Sequence, residues 1–223
     1  MIRCMIVWAG FLAMVATAAQ TIPKGFVYLD EAVPGIVLDI RYAGSNNFVG
    51  EKITGYDSPR CVISSVAANR LILVQRELSE LGLGLKVFDA YRPQRSVDHF
   101  VRWARDLADT RSKSSFYPNV PKSELFERGY IAERSGHSRG SAVDATLVDV
   151  VTGTELDMGT AWDLFDPLSW PSNNEVSLQQ RANRLLLKVV MTKHGFRPLK
   201  EEWWHFTLEN EPFPDTYFDF VIE

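Results

Sequence analysis

The sequence contains little cysteine and no large excess of either charge. Two cysteines, Cys4 and Cys61, occur among 223 residues. They are too few for a disulfide-stabilised scaffold or for a zinc site made of cysteines. Asp and Glu total 28 against 24 Lys and Arg, without a long run of one sign. The basic surface that nucleic acids require is therefore missing, and we expect no nucleic-acid partner. Stability must come from a core, which 46% hydrophobic residues can form.

Several nucleotide and hydrolase motifs are also absent. The sequence has no P-loop, no dinucleotide-binding fingerprint and no H-E-x-x-H helix. Residues 136–140, Gly-His-Ser-Arg-Gly, do match the G-x-S-x-G pattern of hydrolase nucleophile elbows. That motif needs a strand before the serine and a helix after it, whereas the residues after Gly140 alternate as a strand does. The sequence therefore disfavours Ser138 as a nucleophile.

The N-terminus has the three parts of a secretory signal peptide. Arg3 is followed by an apolar run over residues 5–15 and then by small residues at 16–19. A retained membrane anchor is the alternative, but a membrane span needs about 20 apolar residues. We predict a signal peptide over residues 1–19 and a mature domain over 20–223, exported to the periplasm with no stable membrane anchor. Cys61 is then expected to be a buried small hydrophobic residue.

The spacing of apolar residues predicts a single α+β domain with an antiparallel central sheet, flanking helices and a zinc site on the sheet. Residues 37–42 and 85–90 have the composition of strands, and residues 64–81 have the periodicity of a helix. A second helix is expected around residues 97–104. A third begins at a capping box formed by Ser177 and Gln180. Its predicted buried stripe comprises Leu178, Ala182, Leu185, Leu186, Val189 and Val190.

Two of the four histidines lie in unusual surroundings. His137 is bracketed by glycines in a predicted turn, and Asp144 lies in the alternating strand that follows. An aspartate at the centre of a strand is costly to bury unless a cation or several donors meet it. His205 follows two glutamates and two tryptophans, whose rings would keep a site dry. His137, Asp144 and His205 supply the three protein ligands of a catalytic zinc site, with a fourth position open for water.

A water bound at such a site also needs a base, and Glu202, three residues before His205, is the candidate. Positions three apart on a regular strand face opposite sides of the sheet, so this pair requires a loop or bulge. His99 lies on a predicted helix, and His194 lies in the last turn of another, where the helix dipole favours a cation. We interpret both as structural. Each candidate ligand alone would fit a hydrogen-bonded structural role, and the set is what indicates a metal site.

Several segments resemble a known enzyme family. Residues 135–144, Ser-Gly-His-Ser-Arg-Gly-Ser-Ala-Val-Asp, are similar to the S-x-H-x-x-G-x-A-x-D zinc motif of the D-alanyl-D-alanine dipeptidases and related zinc D,D-carboxypeptidases. Residues 202–205, Glu-Trp-Trp-His, resemble the dipeptidase segment that carries a base and a ligand. Residues 89–98 resemble the segment that supplies the catalytic arginine, and residues 39–42 with 47–48 resemble the N-terminal segment. The resemblance covers nearly the whole predicted mature chain.

This resemblance implies the parts of a peptidase. It implies one zinc ion held by His137, Asp144 and His205, with Glu202 as the general base and acid. It implies that Arg92 holds the tetrahedral oxyanion. The implied reaction is hydrolysis of the small dipeptide D-Ala-D-Ala. Family members tied to glycopeptide resistance are cytoplasmic, so the export signal favours cell-wall turnover or dipeptide scavenging instead.

The resemblance also implies a substrate-binding set of Ser135, Tyr42 and Asp163, with Asp163 facing the free ammonium of the dipeptide. We expect the polar segment 110–123 to be a loop or lid that closes this pocket. Two alternatives remain. One is a zinc D,D- or L,D-carboxypeptidase or endopeptidase acting on peptidoglycan stems, and the other is a non-catalytic binding module stabilised by zinc. Glu202 and Arg92 argue against the module, because a structural zinc site needs neither.

Overall fold

A five-stranded sheet organises the computed structural model, which describes residues 22–223. The strands along the chain are β1 (Phe26–Tyr28), β2 (Val37–Leu38), β3 (Val62–Ser64), β4 (Leu83–Asp89), β5 (Ala142–Asp149), β6 (Phe196–Pro198) and β7 (His205–Leu208). The sheet has the order β2-β4-β5-β7-β6, and β1 pairs separately with β3. Neighbouring strands are antiparallel except β2 and β4, which are parallel. The predicted α+β class is confirmed.

Five helices flank the sheet. They are α1 (Leu29–Ala32), α2 (Ser65–Glu80), α3 (Gln94–Arg105), α4 (Lys113–Phe116) and α5 (Leu178–Lys193). Ser64 caps α2 by accepting a hydrogen bond from the Ala67 N–H, and the predicted capping box of Ser177 and Gln180 begins α5. Among residues 22–223, no helix has the length and apolarity needed to cross a bilayer. The predicted signal peptide, residues 1–19, lies outside the described residues.

The predicted strand over residues 37–42 is too long. Only Val37–Leu38 forms a strand, and the chain then turns into the 3-10 helix Arg41–Ala43, which buries Tyr42. Strand β5 is buried along almost its whole length, from Ala142 to Val148. Both of its faces are therefore covered, and its alternation does not separate a core side from a solvent side.

The buried face of α5 differs from the predicted stripe. Only Val190 of that stripe is buried as predicted, and Leu186 is partly buried. The other four residues are exposed, namely Leu178 (76%), Leu185 (58%), Val189 (52%) and Ala182. The buried residues of α5 are Asn183, Arg184, Leu187, Val190 and Met191. The two polar members of this face hydrogen-bond to the backbone of residues 157–170. Those bonds remove the cost of burying polar groups, so apolar periodicity alone identifies the wrong face.

Candidate active site

Strand register brings three polar residues to one level of the sheet. Asp144 on β5 pairs with Asp89 on β4 and with His205 on β7. The register of β4 and β5 shifts between Val87 and Asp89, a local irregularity that re-aims the end of β4. The middle of a buried sheet thus presents two carboxylates and an imidazole side by side.

A tight turn before β5 adds a second imidazole. His137 lies in the 3-10 helix Gly136–Arg139, whose preceding residue Ser135 accepts a hydrogen bond from the His137 N–H at 3.3 Å. The turn ends at Gly140 with φ +77°, where an added Cβ would lie 2.2 Å from the Phe26 ring. Glycine is required there on both counts. This turn places His137 over the sheet residues Asp144 and His205.

Three acceptor atoms converge at this point. His137 Nε2 lies 3.2 Å from Asp144 Oδ1 and 3.0 Å from His205 Nδ1, and His205 Nδ1 lies 3.1 Å from Asp144 Oδ1. The opposite ring atoms have their own partners, because His137 Nδ1 lies 2.7 Å from the Ala90 carbonyl and His205 Nε2 lies 3.1 Å from Thr207 Oγ1. Protons on those outer nitrogens leave the inner lone pairs facing one another.

The shifted pKa values of Asp144 and His205 indicate that this cluster favours a positive charge. Burial raises the pKa of Asp144, but His137 and His205 outweigh burial and hold that pKa well below its usual range. Burial lowers the pKa of His205, but the hydrogen bond to Asp144 leaves that pKa raised. Trp162 Nε1 also donates to Asp144 Oδ2 at 3.3 Å. A cation among the three ligand atoms satisfies the arrangement.

Glu202 lies beside this cluster without joining it. Its Oε2 is 3.8 Å from His205 Nδ1, and its side chain is 22% exposed. The residue precedes β7 in a turn, which supplies the loop that the three-residue spacing to His205 requires. Burial raises the pKa of the Glu202 carboxyl to about 7, against the opposing effects of His205 and Arg92. A carboxyl that titrates near neutrality can both accept and return a proton.

Arg92 is held by acidic partners. Its Nε donates to Asp89 Oδ2 at 2.9 Å, its Nη2 lies 2.8 Å from the same oxygen, and Nη2 is 3.8 Å from Asp144 Oδ2. The guanidinium also lies 5.2 Å from the ring centroids of Tyr42 and of Phe100. The Asp89 pair and the two rings fix the guanidinium beside the cluster, where it can donate to an oxyanion.

A further buried carboxylate, that of Asp163, lines the same site. Asp163 is 5% exposed and accepts a hydrogen bond of 2.6 Å from the Tyr42 hydroxyl. Burial raises the pKa of Asp163 well above its usual value, and Asp144 adds to the rise. Its backbone has φ +60°, a left-handed conformation that costs free energy in a residue other than glycine. Strain of this kind at a buried carboxylate is typical of functional positions.

One cavity of about 330 Å³ joins these groups. All the residues predicted for the site line it: Tyr42, Arg92, Ser135, His137, Asp144, Asp163, Glu202 and His205. The predicted lid, residues 110–123, contributes no lining residue, so its assignment is wrong. Residues 129–132 and Arg134 border the cavity instead. Phe116, Tyr117 and Val120 anchor the predicted lid to the core, while most of its other residues are exposed.

Three further residues support the site and escaped the sequence interpretation. Asp89 holds Arg92, Tyr56 donates to Asp89 Oδ1 at 2.6 Å, and Trp162 donates to Asp144. A signal existed for Asp89, since it lies three residues before Arg92 in the matched segment. The contacts of Tyr56 and Trp162 depend on the tertiary fold, and nothing in their local sequence indicates them.

The remaining histidines lie away from the cluster. His99 Nε2 is 3.2 Å from Glu51 Oε1, and His99 Nδ1 accepts from the Thr54 N–H at 3.1 Å. His194 ends α5 and lies 2.8 Å from Glu77 Oε2. These three contacts join α3 and α5 to neighbouring segments, which fits the structural role expected for both histidines.

Known proteins resemble this chain over nearly all the described residues. A family model described as D-ala-D-ala dipeptidase matches residues 23–223. The D-alanyl-D-alanine dipeptidase of Streptomyces coelicolor is 45% identical over 197 residues, covering 88% of this chain and 98% of that protein. The D-alanyl-D-alanine dipeptidase of Enterococcus faecium is 39% identical over 199 residues, covering 89% and 98%. A solved vancomycin-resistance D,D-pentapeptidase VanY in complex with Zn(II) aligns with 67% of this chain and 74% of its own, at 14% identity and a TM-score of 0.42.

Proposed function

The chain belongs to the D-Ala-D-Ala dipeptidase family of metallopeptidases, and from that membership we propose that it hydrolyses the dipeptide D-Ala-D-Ala with one bound zinc ion. The observation that carries the proposal is the convergence of three acceptor atoms, from His137, Asp144 and His205, beside Glu202. A structural role alone does not explain why these buried acceptors face one another.

Zinc fits the donor set. Two nitrogens and one oxygen, from two imidazoles and a carboxylate, are ligand types that catalytic zinc takes, with a fourth position left for water. Tetrahedral ligands at about 2.0–2.1 Å from the metal lie roughly 3.3 Å apart. The three atoms here are separated by 3.0, 3.1 and 3.2 Å. The Ala90 carbonyl can only accept, so it fixes the proton of His137 on Nδ1 and leaves Nε2 free. The Thr207 hydroxyl can accept from His205 Nε2 when Nδ1 binds the metal.

The catalytic work then divides among the side chains. Zinc bound here would act as a Lewis acid and lower the pKa of a water ligand toward about 7. Glu202 accepts the proton of the attacking water and returns it to the leaving amine. Arg92, charged at every relevant pH, donates to the oxyanion that develops at the peptide carbonyl. Asp89 fixes the guanidinium so that this donor needs no rearrangement during the reaction.

The Asp163 carboxylate selects the amino end of the substrate. The hydroxyl of Tyr42 is its one side-chain hydrogen-bond donor among the described residues, so a buried carboxylate lacks a counter-charge. The ammonium of a free dipeptide supplies that charge. Ser135 borders the same cavity and is available to hydrogen-bond the substrate. We place the reaction in cell-wall turnover or dipeptide scavenging outside the cytoplasm, on the support of the signal-like sequence of residues 1–19.

The test compares free and blocked substrates. We expect the zinc-loaded enzyme to cleave D-Ala-D-Ala well, and N-acetyl-D-Ala-D-Ala and a stem pentapeptide poorly, because neither presents an ammonium to Asp163. Asp163→Ala should lower kcat/KM for the free dipeptide much more than for the acetylated one. Release of free amine measures both, with L-Ala-L-Ala as the stereochemical control. Equal cleavage of the pentapeptide and the free dipeptide would replace the dipeptidase with a carboxypeptidase acting on peptidoglycan stems.

A further inference from the structure

A second cavity, of about 280 Å³, lies against α5 and shares the lining residue Leu199 with the active-site cavity. One wall is the face of α5, and the other is formed by residues 171–172 and 198–200. Its charged lining residues are all cationic, namely Arg181, Arg184, Lys188 and Lys200, and no acidic residue lines it. A groove with four cations and no acid is unexpected in a chain of net charge −4.

Arg184 is the central observation in this groove. Its side chain is buried, with the residue only 3% exposed, and it donates to three backbone carbonyls, those of Met158, Leu168 and Trp170, at 2.6–3.0 Å. No carboxylate among residues 22–223 forms an ion pair with it. A guanidinium has five N–H groups, so two of them, one on each terminal nitrogen, have no acceptor among the described residues.

The carbonyl groups do not neutralise the Arg184 charge. Burial lowers the pKa of Arg184 to about 10, and Asp157 opposes that shift only in part. A buried cation without a counter-ion is costly, and proteins normally meet that cost with an anion. The chain itself supplies none in contact with Arg184, so an external anion is the remaining way to supply the missing charge.

The neighbouring cations lie on the same face of the helix. Arg181, Arg184 and Lys188 are spaced by three and four residues, which stacks their side chains along one side of α5. The Nε of Arg181 is buried and has no hydrogen-bond partner among residues 22–223. Arg181 Nη1 donates to Asn174 Oδ1 at 3.1 Å. Two planar guanidinium groups on one wall offer paired donors to an oxyanion.

We propose that this groove binds a phosphoryl oxyanion, either free phosphate or the phosphate of an ester. Lys200 Nζ lies 3.0 Å from Glu201 Oε1, and the other three cations of the groove form no ion pair among residues 22–223. Three such cations supply more charge than one carboxylate would balance, so a phosphate group is the favoured class. Apolar atoms of Pro171, Leu185 and Pro198 complete the lining, which suits a phosphate carried on an organic group. Leu199 borders both this groove and the active-site cavity, so an anion here lies one side chain from the catalytic cavity.

The experiment measures binding of inorganic phosphate to the zinc-loaded protein by isothermal titration calorimetry. We expect saturable binding that weakens with added salt, and a loss of roughly tenfold or more in affinity for Lys188→Glu and for Arg181→Glu. Lys188→Arg should retain binding. The matched control is Arg76→Glu, which makes the same charge change at an exposed position of α2 and should bind as the wild type does. Circular dichroism and Tm establish that each variant is folded.

Further arms identify the source of the phosphate. Glycerol phosphate and vesicles of phosphatidylglycerol in phosphatidylcholine are titrated in the same way, and whichever binds in a Lys188-dependent manner is the source. Phosphate binding that survives Lys188→Glu and Arg181→Glu but disappears in His137→Ala would place the anion on the metal site and overturn the proposal. No binding by any probe, or equal weakening in Arg76→Glu, would overturn it as well.

Discussion

Arg92 and Arg184 are both buried, but they have opposite kinds of partner. The side chain of Arg92 is 13% exposed and is held by Asp89, with Asp144 close by. Arg184 is 3% exposed as a residue and is held by backbone carbonyls alone. Burial by itself lowers the pKa of each. For Arg92, the neighbouring Tyr42 and Asp89 outweigh burial and raise the pKa well above its usual value, whereas the pKa of Arg184 falls to about 10.

The difference shows that the role of a buried arginine depends on the groups that it contacts, and not on burial alone. Carboxylates around Arg92 compensate its charge and aim it at the cavity that His137, Asp144 and His205 line. Carbonyls around Arg184 accept one hydrogen bond from each of its three nitrogens and fasten residues 158–170, the segment that carries Asp163, to α5. The arrangement around Arg92 is suited to catalysis. The arrangement around Arg184 stabilises the fold but leaves the charge of the guanidinium uncompensated.

The largest effect that we expect is at Glu202, in the active-site cavity that contains Arg92. Glu202→Gln removes the proton acceptor but keeps the size of the side chain, so kcat should fall by at least ~10²-fold with zinc content unchanged. Glu201→Gln is the matched control, since it makes the same change one residue away, and its kcat should stay near that of the wild type. Steady-state kinetics and metal analysis on the same preparations decide the result. Near-normal turnover of Glu202→Gln would show that the base is misassigned.

The next largest effects are expected from lysine substitutions of the two arginines. Arg92→Lys keeps the charge but loses the planar fork, so we expect a fall of ~10²–10³ in kcat, about 2.7–4 kcal/mol, with little change in Tm. Arg184→Lys should instead lower the free energy of unfolding, by about 1–3 kcal/mol, because buried carbonyls lose their donors. Urea denaturation and steady-state kinetics on both variants separate the roles. An effect of Arg92→Lys confined to KM would assign Arg92 to substrate binding.

The smallest effect concerns the outer face of α5. Leu178 is 76% exposed, so Leu178→Ala should change the free energy of unfolding by no more than about 0.5 kcal/mol. Leu187 is fully buried on the same helix, and Leu187→Ala, the reference variant, should cost about 2–5 kcal/mol. Urea denaturation measures both. Similar decreases in the free energy of unfolding of the two variants would show that Leu178 is buried, as the sequence predicted.

The predicted site residues come together in one cavity, whereas several predictions about their surroundings are wrong. His137, Asp144, His205 and Glu202 stand out because a charged residue in an apolar strand, or beside tryptophans, needs a reason to be there. The periodicity of α2 and the capping box of α5 are local signals, and both helices form where these signals place them.

The errors share a cause. The buried face of α5 depends on carbonyls of residues 158–170 that accept hydrogen bonds from Arg184. The attachment of segment 110–123 depends on Phe116 and Tyr117, which pack in the core. Both features depend on contacts between distant segments, which a local sequence pattern does not predict. The support that Tyr56 gives to Asp89 is of the same kind, because the two residues are 33 positions apart in the sequence.

The most direct test of the central claim is a zinc titration of metal-free protein, following bound zinc and the hydrolysis of D-Ala-D-Ala together. We expect both to rise and to reach a plateau at about one zinc per chain. His137→Ala, Asp144→Ala and His205→Ala should each fail to bind zinc tightly and should remain inactive. Activity that is full before zinc is added, or stoichiometric zinc retained after all three ligands are replaced, would contradict the assignment of this site.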